Sequence, residues 1–454
     1  MKTNINRFMI AGTGSGCGKT TVTCALLQAL KNRGMKVSSF KCGPDYIDPM
    51  FHSKVIGTKS ANLDLFLCGE KSVKYIFAEN SAENDISVIE GVMGNYDGIG
   101  ADSDLYSTNH VARVTNTPQI LVVGTKGVSF SLAAVIKGYL TLRENNIKGV
   151  ILNNTSEKMY NMLKPVIEKE LPVKVYGYLP KIKEATLESR HLGLVTADEI
   201  VDIKEKLNIL AETAEKTLDI DGIIKLAQEY SDYEYEDIFK ELYAEPKKTR
   251  IAIAEDSAFC FTYKDNIKFL EKMGAEILPF SPMHDPKMPE NINMVIFPGG
   301  YPELYLKELS ENKKLMVEIR EKLERGLPVI AECGGFMYLH DEICDKEGNS
   351  YPMVGFVKGK SFMTGKLVRF GYTYMKAERE SLVCPMGEEI RAHEFHYSDS
   401  DNCGDNFTAR KSNGNEFKAV IGGENGYMGY PHLHLWGSLE NTKRLYEKIC
   451  QKTY

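Results

Sequence analysis

The sequence predicts an α/β fold in which a P-loop parallel-sheet domain is followed by a second α/β domain. Three observations predict it. Short β-rich runs alternate with helical patterns through the first half, as in a parallel sheet covered by helices on both faces. A glycine-rich turn ending in Lys-Thr-Thr, Gly12 to Thr21, follows the first apolar run. A second alternating set begins near Arg250, and one of its strands stops abruptly in Glu-Cys-Gly-Gly, Glu332 to Gly335.

In chain order, strands are expected at Arg7–Ala11, Met35–Lys41, Asp85–Glu90, Gln119–Gly124, Lys148–Asn153 and Val173–Leu179. Helical patterns fill the intervals at Thr20–Arg33, Ser129–Asn145 and Ser156–Leu171. Lys204 to Tyr243 reads as charged helix, and Pro246-Lys247-Lys248 follows it. The boundary is placed near Glu245–Thr249, giving domains 1–245 and 250–454. The second set continues with strands at Arg250–Ala254, Glu276–Phe280, Met294–Pro298 and Pro328–Glu332. Beyond Tyr351 the short strands and glycines predict a more antiparallel region.

The bulk numbers exclude several classes. A chain of 454 residues suggests two to three domains, and 43% hydrophobic with 26% charged residues is ordinary for a globular protein. A net charge of -6, with no basic stretch, argues against nucleic acid as a partner. No apolar run is long enough to span a bilayer, so no membrane is expected. The polar start, Met1 to Arg7, lacks the pattern of a secretory signal, which predicts a cytoplasmic location. The ten cysteines are scattered without zinc spacing, as expected of reduced thiols.

The turn at Gly12 to Thr21 has the parts of a phosphate loop. Glycines at 14, 16 and 18 let backbone N–H groups approach phosphate oxygens at a helix N-terminus. Lys19 would reach the outer phosphates and Thr20, followed by Thr21, would hold magnesium. The spacing is one residue longer than the usual form, because the leading glycine is Gly12. Two glycine-rich stations follow later strands: Lys41-Cys42-Gly43-Pro44-Asp45-Tyr46-Ile47-Asp48-Pro49, and Glu90-Gly91-Val92-Met93-Gly94-Asn95-Tyr96-Asp97-Gly98. In an open α/β sheet such stations gather at the carboxyl edge, beside Lys19. Glu90 ends an apolar strand, where a second metal-associated acid is expected. Taken singly, Asp45, Asp48 and Asp97 look like turn-formers; their shared edge favours a site.

A nucleophilic thiol needs an exposing turn, an oxyanion pocket and a base. Cys333-Gly334-Gly335 supplies the turn, and the Gly334 N–H is one oxyanion donor. Pro298-Gly299-Gly300 ends another strand, where Gly300 is the expected second donor. The base is sought among His393, His396, His432 and His434.

The loop spacing resembles the dethiobiotin synthetase-like branch of P-loop enzymes. Lys-x-Gly-Pro-Asp-Tyr-Ile-Asp-Pro, Asn62-Leu63-Asp64, Glu-Gly-Val-Met-Gly-x-Tyr-Asp-Gly and Arg190-His191-Leu192-Gly193-Leu194 together resemble the cobyrinic acid a,c-diamide synthase family over essentially the whole chain. The resemblance implies a glutamine-hydrolysing ligase of cobalamin biosynthesis. It would amidate the a and c carboxylates of cobyrinic acid through acyl phosphates. Hydrogenobyrinic acid and nickel sirohydrochlorin are the alternative acceptors. It implies Mg2+ with ATP as substrate, a metal held by Thr20, Asp48 and Glu90 (with Asp64 a further candidate), and an acceptor end formed by Lys41, Asp45, Asp48 and Asp97. It places Asn153 at the adenine. Tyr430-Pro431-His432-Leu433-His434 resembles the histidine station of triad-type glutamine amidotransferases, which selects His432 as the base. The acid usual two residues later is replaced by His434, so a Cys–His dyad, or orientation by another group, is expected. The implied partners are ATP, glutamine and a tetrapyrrole polycarboxylate, with a homodimer as the one protein partner entertained.

Overall fold

The computed structural model describes residues 1–185, 197–240 and 247–451, with the side chains of 197–200 left aside. The segment Arg190 to Leu194, singled out in the sequence, lies outside the described residues, as do Glu245 and Pro246. The chain divides into two units. One comprises Met1–Leu65 and Gly69–Asp237, the other Phe66–Cys68 and Ile238–Tyr454.

In the first unit seven parallel strands run in the order Lys59–Leu63, Val37–Cys42, Ile86–Glu90, Arg7–Gly12, Gln119–Gly124, Ile147–Asn153, Lys174–Leu179. The central strands are nearly all apolar because both faces are covered. Ile120 and Val122 join the core under helices Lys19–Asn32 and Ala197–Thr217, while Leu121 and Val123 join the opposite core with Leu132 and Ile136. The phosphate loop leaves the central strand Arg7–Gly12, where the sheet order reverses, the usual place for a ligand crevice. Register completes the arrangement. Lys41 is the neighbour of both Glu90 and Asn62 across their strands, so three polar side chains meet at one carboxyl edge.

Two sequence expectations are corrected here. The strand Lys59–Leu63 is an edge strand whose polar composition hides it. Lys204 to Tyr243 is not one helix. A helix ends at Thr217, and Asp219 caps a second, Ile220–Glu229, by accepting a hydrogen bond from Gly222 N at 2.9 Å. The strand Asp232–Glu234 then pairs antiparallel with Lys2–Asn4.

The second unit has a six-stranded sheet, ordered Ala275–Phe280, Thr249–Ala254, Met294–Phe297, Val329–Glu332, Gly426–Gly429, Ile421–Gly423. All are parallel except the last. Leu315, Ile319 and Phe336 pack against its Val295, Phe297 and Val329. A five-stranded antiparallel sheet follows, ordered Glu416–Ala419, Phe407–Arg410, Arg369–Ala377, Glu389–His396, His432–Leu433. Among the described residues no helix is long and apolar enough to cross a membrane.

Candidate active site

The phosphate loop is held from several sides. Asn153 Nδ2 donates to Cys17 O at 2.9 Å, and a β-carbon on Gly18 would strike that amide at 1.8 Å. Asn95 N donates to Gly12 O at 2.8 Å, and Tyr139 Oη to Thr13 O at 2.8 Å. Nothing described lies within 4 Å of where a side chain would begin at Gly14 or Gly16, so space is open at those two positions. Lys19 Nζ donates to Gly14 O at 2.9 Å and also to Met93 O. Burial pulls its pKa down.

Beside the loop stands a buried charge cluster. Glu90 is fully buried. Its Oε1 accepts from Thr20 Oγ1 at 2.6 Å and from Lys41 Nζ at 2.8 Å. Lys41 also pairs with Asp48 at 2.6 Å. Burial works against the Lys41 cation, but Glu90, Asp48 and Asp45 outweigh it and hold its pKa well above the ordinary value. His52, unremarked in the sequence, lies with Nε2 3.5 Å from Glu90 Oε2. Burial lowers its pKa to about 4, so it is neutral.

The remaining acids shape turns. Asp45 Oδ1 accepts from Ile47 N at 2.8 Å and Asp48 N at 3.1 Å, and burial, then Asp48, raises its pKa to about 6. Asp97 Oδ2 accepts from Gly94 N at 2.7 Å. Asn62 Nδ2 ties down the Lys41 station through Gly43 O at 2.9 Å and Asp45 O at 2.6 Å. Asp64 is buried nearby in sequence. Among the described residues no group of three His, Cys, Asp or Glu forms a metal cage. Magnesium does not require one, since it is bound by one or two carboxylates, waters and substrate phosphates. Thr20, Glu90 and Asp48 fit that donor set: Glu90 Oε2 is buried without a hydrogen-bond partner among the described residues.

In the second unit, Cys333 ends the strand Val329–Glu332 and opens helix Gly334–Tyr338 with φ 47° and ψ −104°. Positive φ in a non-glycine residue is strained and marks a tight strand-to-helix turn. Its N donates to Gly429 O at 2.8 Å and its O accepts from Met337 N at 2.9 Å, which fix the turn. The glycines that follow are required by close approach. A β-carbon on Gly335 would lie 2.1 Å from Phe297 O. One on Gly334 would lie 2.8 Å from Pro302 Cδ and 3.0 Å from Gly300 N, so the Gly300 and Gly334 backbones stand side by side.

On one side of His432 stands Cys333, which favours the imidazolium form. On the other its Nδ1 donates to Glu332 Oε2 at 3.2 Å. Glu332 Oε1 is itself fixed by Leu433 N at 3.0 Å. Burial disfavours the His432 cation, but Cys333 and Glu332 prevail and raise its pKa to about 10. Glu332 is thus the orienting acid that the sequence left open. The residue two places on, His434, is buried against the Tyr263 ring at 4.7 Å, and burial lowers its pKa to about 3. Position alone did not single out Glu332, which reads as the last residue of a strand. Of the other histidines, His396 stacks on Tyr430 at 4.0 Å, and its Nδ1 bonds to Ser398 O at 2.7 Å.

A phosphate-loop α/β unit and an α/β unit with a Cys–His–Glu constellation, carried on one chain, define a nucleotide-binding glutamine amidotransferase. Family models agree: residues 8–195 match the CobQ/CobB/MinD/ParA nucleotide binding domain, and residues 250–439 the CobB/CobQ-like glutamine amidotransferase domain. Relatives named cobyrinate a,c-diamide synthase match nearly end to end. The one from Caldanaerobacter subterraneus subsp. tengcongensis is 41% identical over 97% of this chain and 98% of its own. Those from Clostridium tetani (40%, over 97% and 99%) and Clostridium acetobutylicum (43%, over 96% and 99%) are similar. The chain belongs to the cobyrinate a,c-diamide synthase family, and is a carbon–nitrogen ligase with glutamine as amide donor.

Proposed function

We propose that the chain amidates the a and c carboxylates of cobyrinic acid, with ATP and glutamine, through acyl phosphates. The observation that carries this reading is the pairing of Cys333, His432 and Glu332 in one unit with the Lys19, Thr20, Lys41 and Glu90 cluster in the other.

Cys333 sulfur attacks the side-chain amide carbon of glutamine. The backbone N–H groups of Gly300 and Gly334 receive the oxyanion. The His432 imidazolium gives its proton to the leaving nitrogen, the C–N bond breaks, and ammonia and a glutamyl thioester result. Neutral His432 then takes a proton from water. Hydroxide adds to the thioester, glutamate leaves and the thiol is restored. In the first unit a substrate carboxylate oxygen attacks the γ-phosphorus of ATP, and the bond to the β-phosphate oxygen breaks. Lys19 binds the phosphates, while Lys41, held between Glu90 and Asp48, faces the acceptor carboxylate. Thr20, Glu90 and Asp48 would hold a magnesium ion, which would supply neutralisation of phosphate charge. Ammonia nitrogen attacks the acyl carbon, phosphate departs, and one proton is lost. Asn153 braces the loop through Cys17 O and would contact the adenine.

The test is amidation of cobyrinic acid, hydrogenobyrinic acid and nickel sirohydrochlorin side by side, with ATP and glutamine, followed by product mass. Two added amides on the cobalt corrinoid support the reading. Preference for either other macrocycle overturns the acceptor and keeps the chemistry.

A further inference from the structure

His393 is the direct register partner of His432 across their strand pair. Register partners on antiparallel strands project to the same face, with β-carbons about 5 Å apart. On the next strand Tyr372 is the register partner of His393, and the two rings lie 5.7 Å apart. His432, His393 and Tyr372 therefore form a file across three strands, starting at the imidazole that serves the thiol.

The middle member of this file is unusual. His393 is 7% exposed, and its Nδ1 is buried with no hydrogen-bond partner among the described residues. Buried polar atoms are nearly always satisfied, so a bare ring nitrogen on the residue paired with His432 is an unused acceptor for a small polar guest. Burial, then the charges of His432 and Lys411, lower its pKa to about 3, so the ring is neutral. Phe370 lies edge-on to it at 6.1 Å. A neutral imidazole among aromatic rings can accept an N–H from ammonia but has no acidic proton to give it. Ammonia therefore stays a nucleophile instead of becoming ammonium. The next residue, Glu394, is fully buried and by strand alternation projects to the opposite face, where Arg369, His396 and Lys411 surround it at 3.8, 3.8 and 3.6 Å. Its carboxylate is thus kept out of the file.

We propose that His393 is the first acceptor for ammonia released at Cys333, and that ammonia leaves the thiol along the file from His432 past His393 to Tyr372. The step forms no covalent bond. Ammonia, completed by the His432 proton, donates one N–H to the unprotonated ring nitrogen and keeps all three hydrogens. This rests on the reading above, in which glutamine hydrolysis feeds amidation.

The experiment measures amide formed per glutamate released, on cobyrinic acid, for the full chain and for H393Q, H393L and H393F. The ratio cancels any shared loss of folded enzyme. H393L and H393F are expected to fall at least about twofold below the unaltered chain. H393Q, which keeps an acceptor oxygen, should stay nearer to it. H393L provides the apolar reading if H393F releases no glutamate. Unchanged ratios in all variants overturn the proposal, and so does an equal fall in all three. If the unaltered chain hydrolyses glutamine but forms no amide on cobyrinic acid, the acceptor reading has failed and this inference falls with it.

Discussion

Glu332 and His432 show how one contact can set a working protonation state. A histidine buried this deeply is ordinarily neutral, as His52 and His434 are. His432 is the exception because it lies between Cys333 and a carboxylate. Its pKa, raised to about 10, makes it an imidazolium at neutral pH, able to protonate the leaving ammonia. Glutamine hydrolysis should then decline on the alkaline side as pH rises through that value. In Glu332→Gln the support is weaker, so the alkaline limb should move to lower pH. The rate at neutral pH should drop by about a hundred- to ten-thousand-fold, as when a triad acid is neutralised. Rates of glutamate release against pH for both proteins check this, and an unmoved limb would refute it. Cys333 and His432 were legible because each sits in a distinctive local pattern. Glu332 was not, because its role comes from a turn that lets it and its neighbour both reach one ring.

At the scale of elements, strand register and close backbone approach build both sites. Periodicity found the central strands of the first sheet because their residues are apolar on both faces. It missed Lys59–Leu63, whose Lys-Ser-Ala-Asn-Leu carries little apolar signal. It ran two helices together because Asp219, a capping residue, looks like one more charge in a charged stretch. Two substitutions test the packing. A β-carbon on Gly299 would stand 2.6 Å from His432 Cε1. Gly299→Ala should therefore displace the imidazole and slow glutamate release about a hundredfold, the scale of a 1 Å misplacement. Far-ultraviolet circular dichroism should show the fold retained. Lys41→Met would leave Glu90 and Asp48 without their cation. Breaking one side of such a buried pair costs about 3–5 kcal/mol. Denaturant titration of the full chain should show the transition of the nucleotide-binding unit at lower denaturant; an unshifted transition would mean that the pair contributes nothing net.

On the scale of the whole molecule, the proposed chemistry divides between two units with separate cores. Cys333→Ala should abolish amidation from glutamine while leaving amidation from ammonium salts within about threefold of the unaltered chain, because the thiol serves only nitrogen release. Lys19→Ala should do the reverse: glutamate release persists, and amidation fails with either nitrogen source. Parallel assays with glutamine and ammonium decide it, and loss of both activities in Cys333→Ala would contradict the division. The adjacency of Glu332 and Cys333 also bears on descent. Two of the three thiol-site residues are encoded by neighbouring codons at the end of one strand. A recombination event could exchange almost any other part of this chain without parting them, so the proposed nucleophile and acid pass between generations as a single hereditary unit, with only the histidine left to be matched.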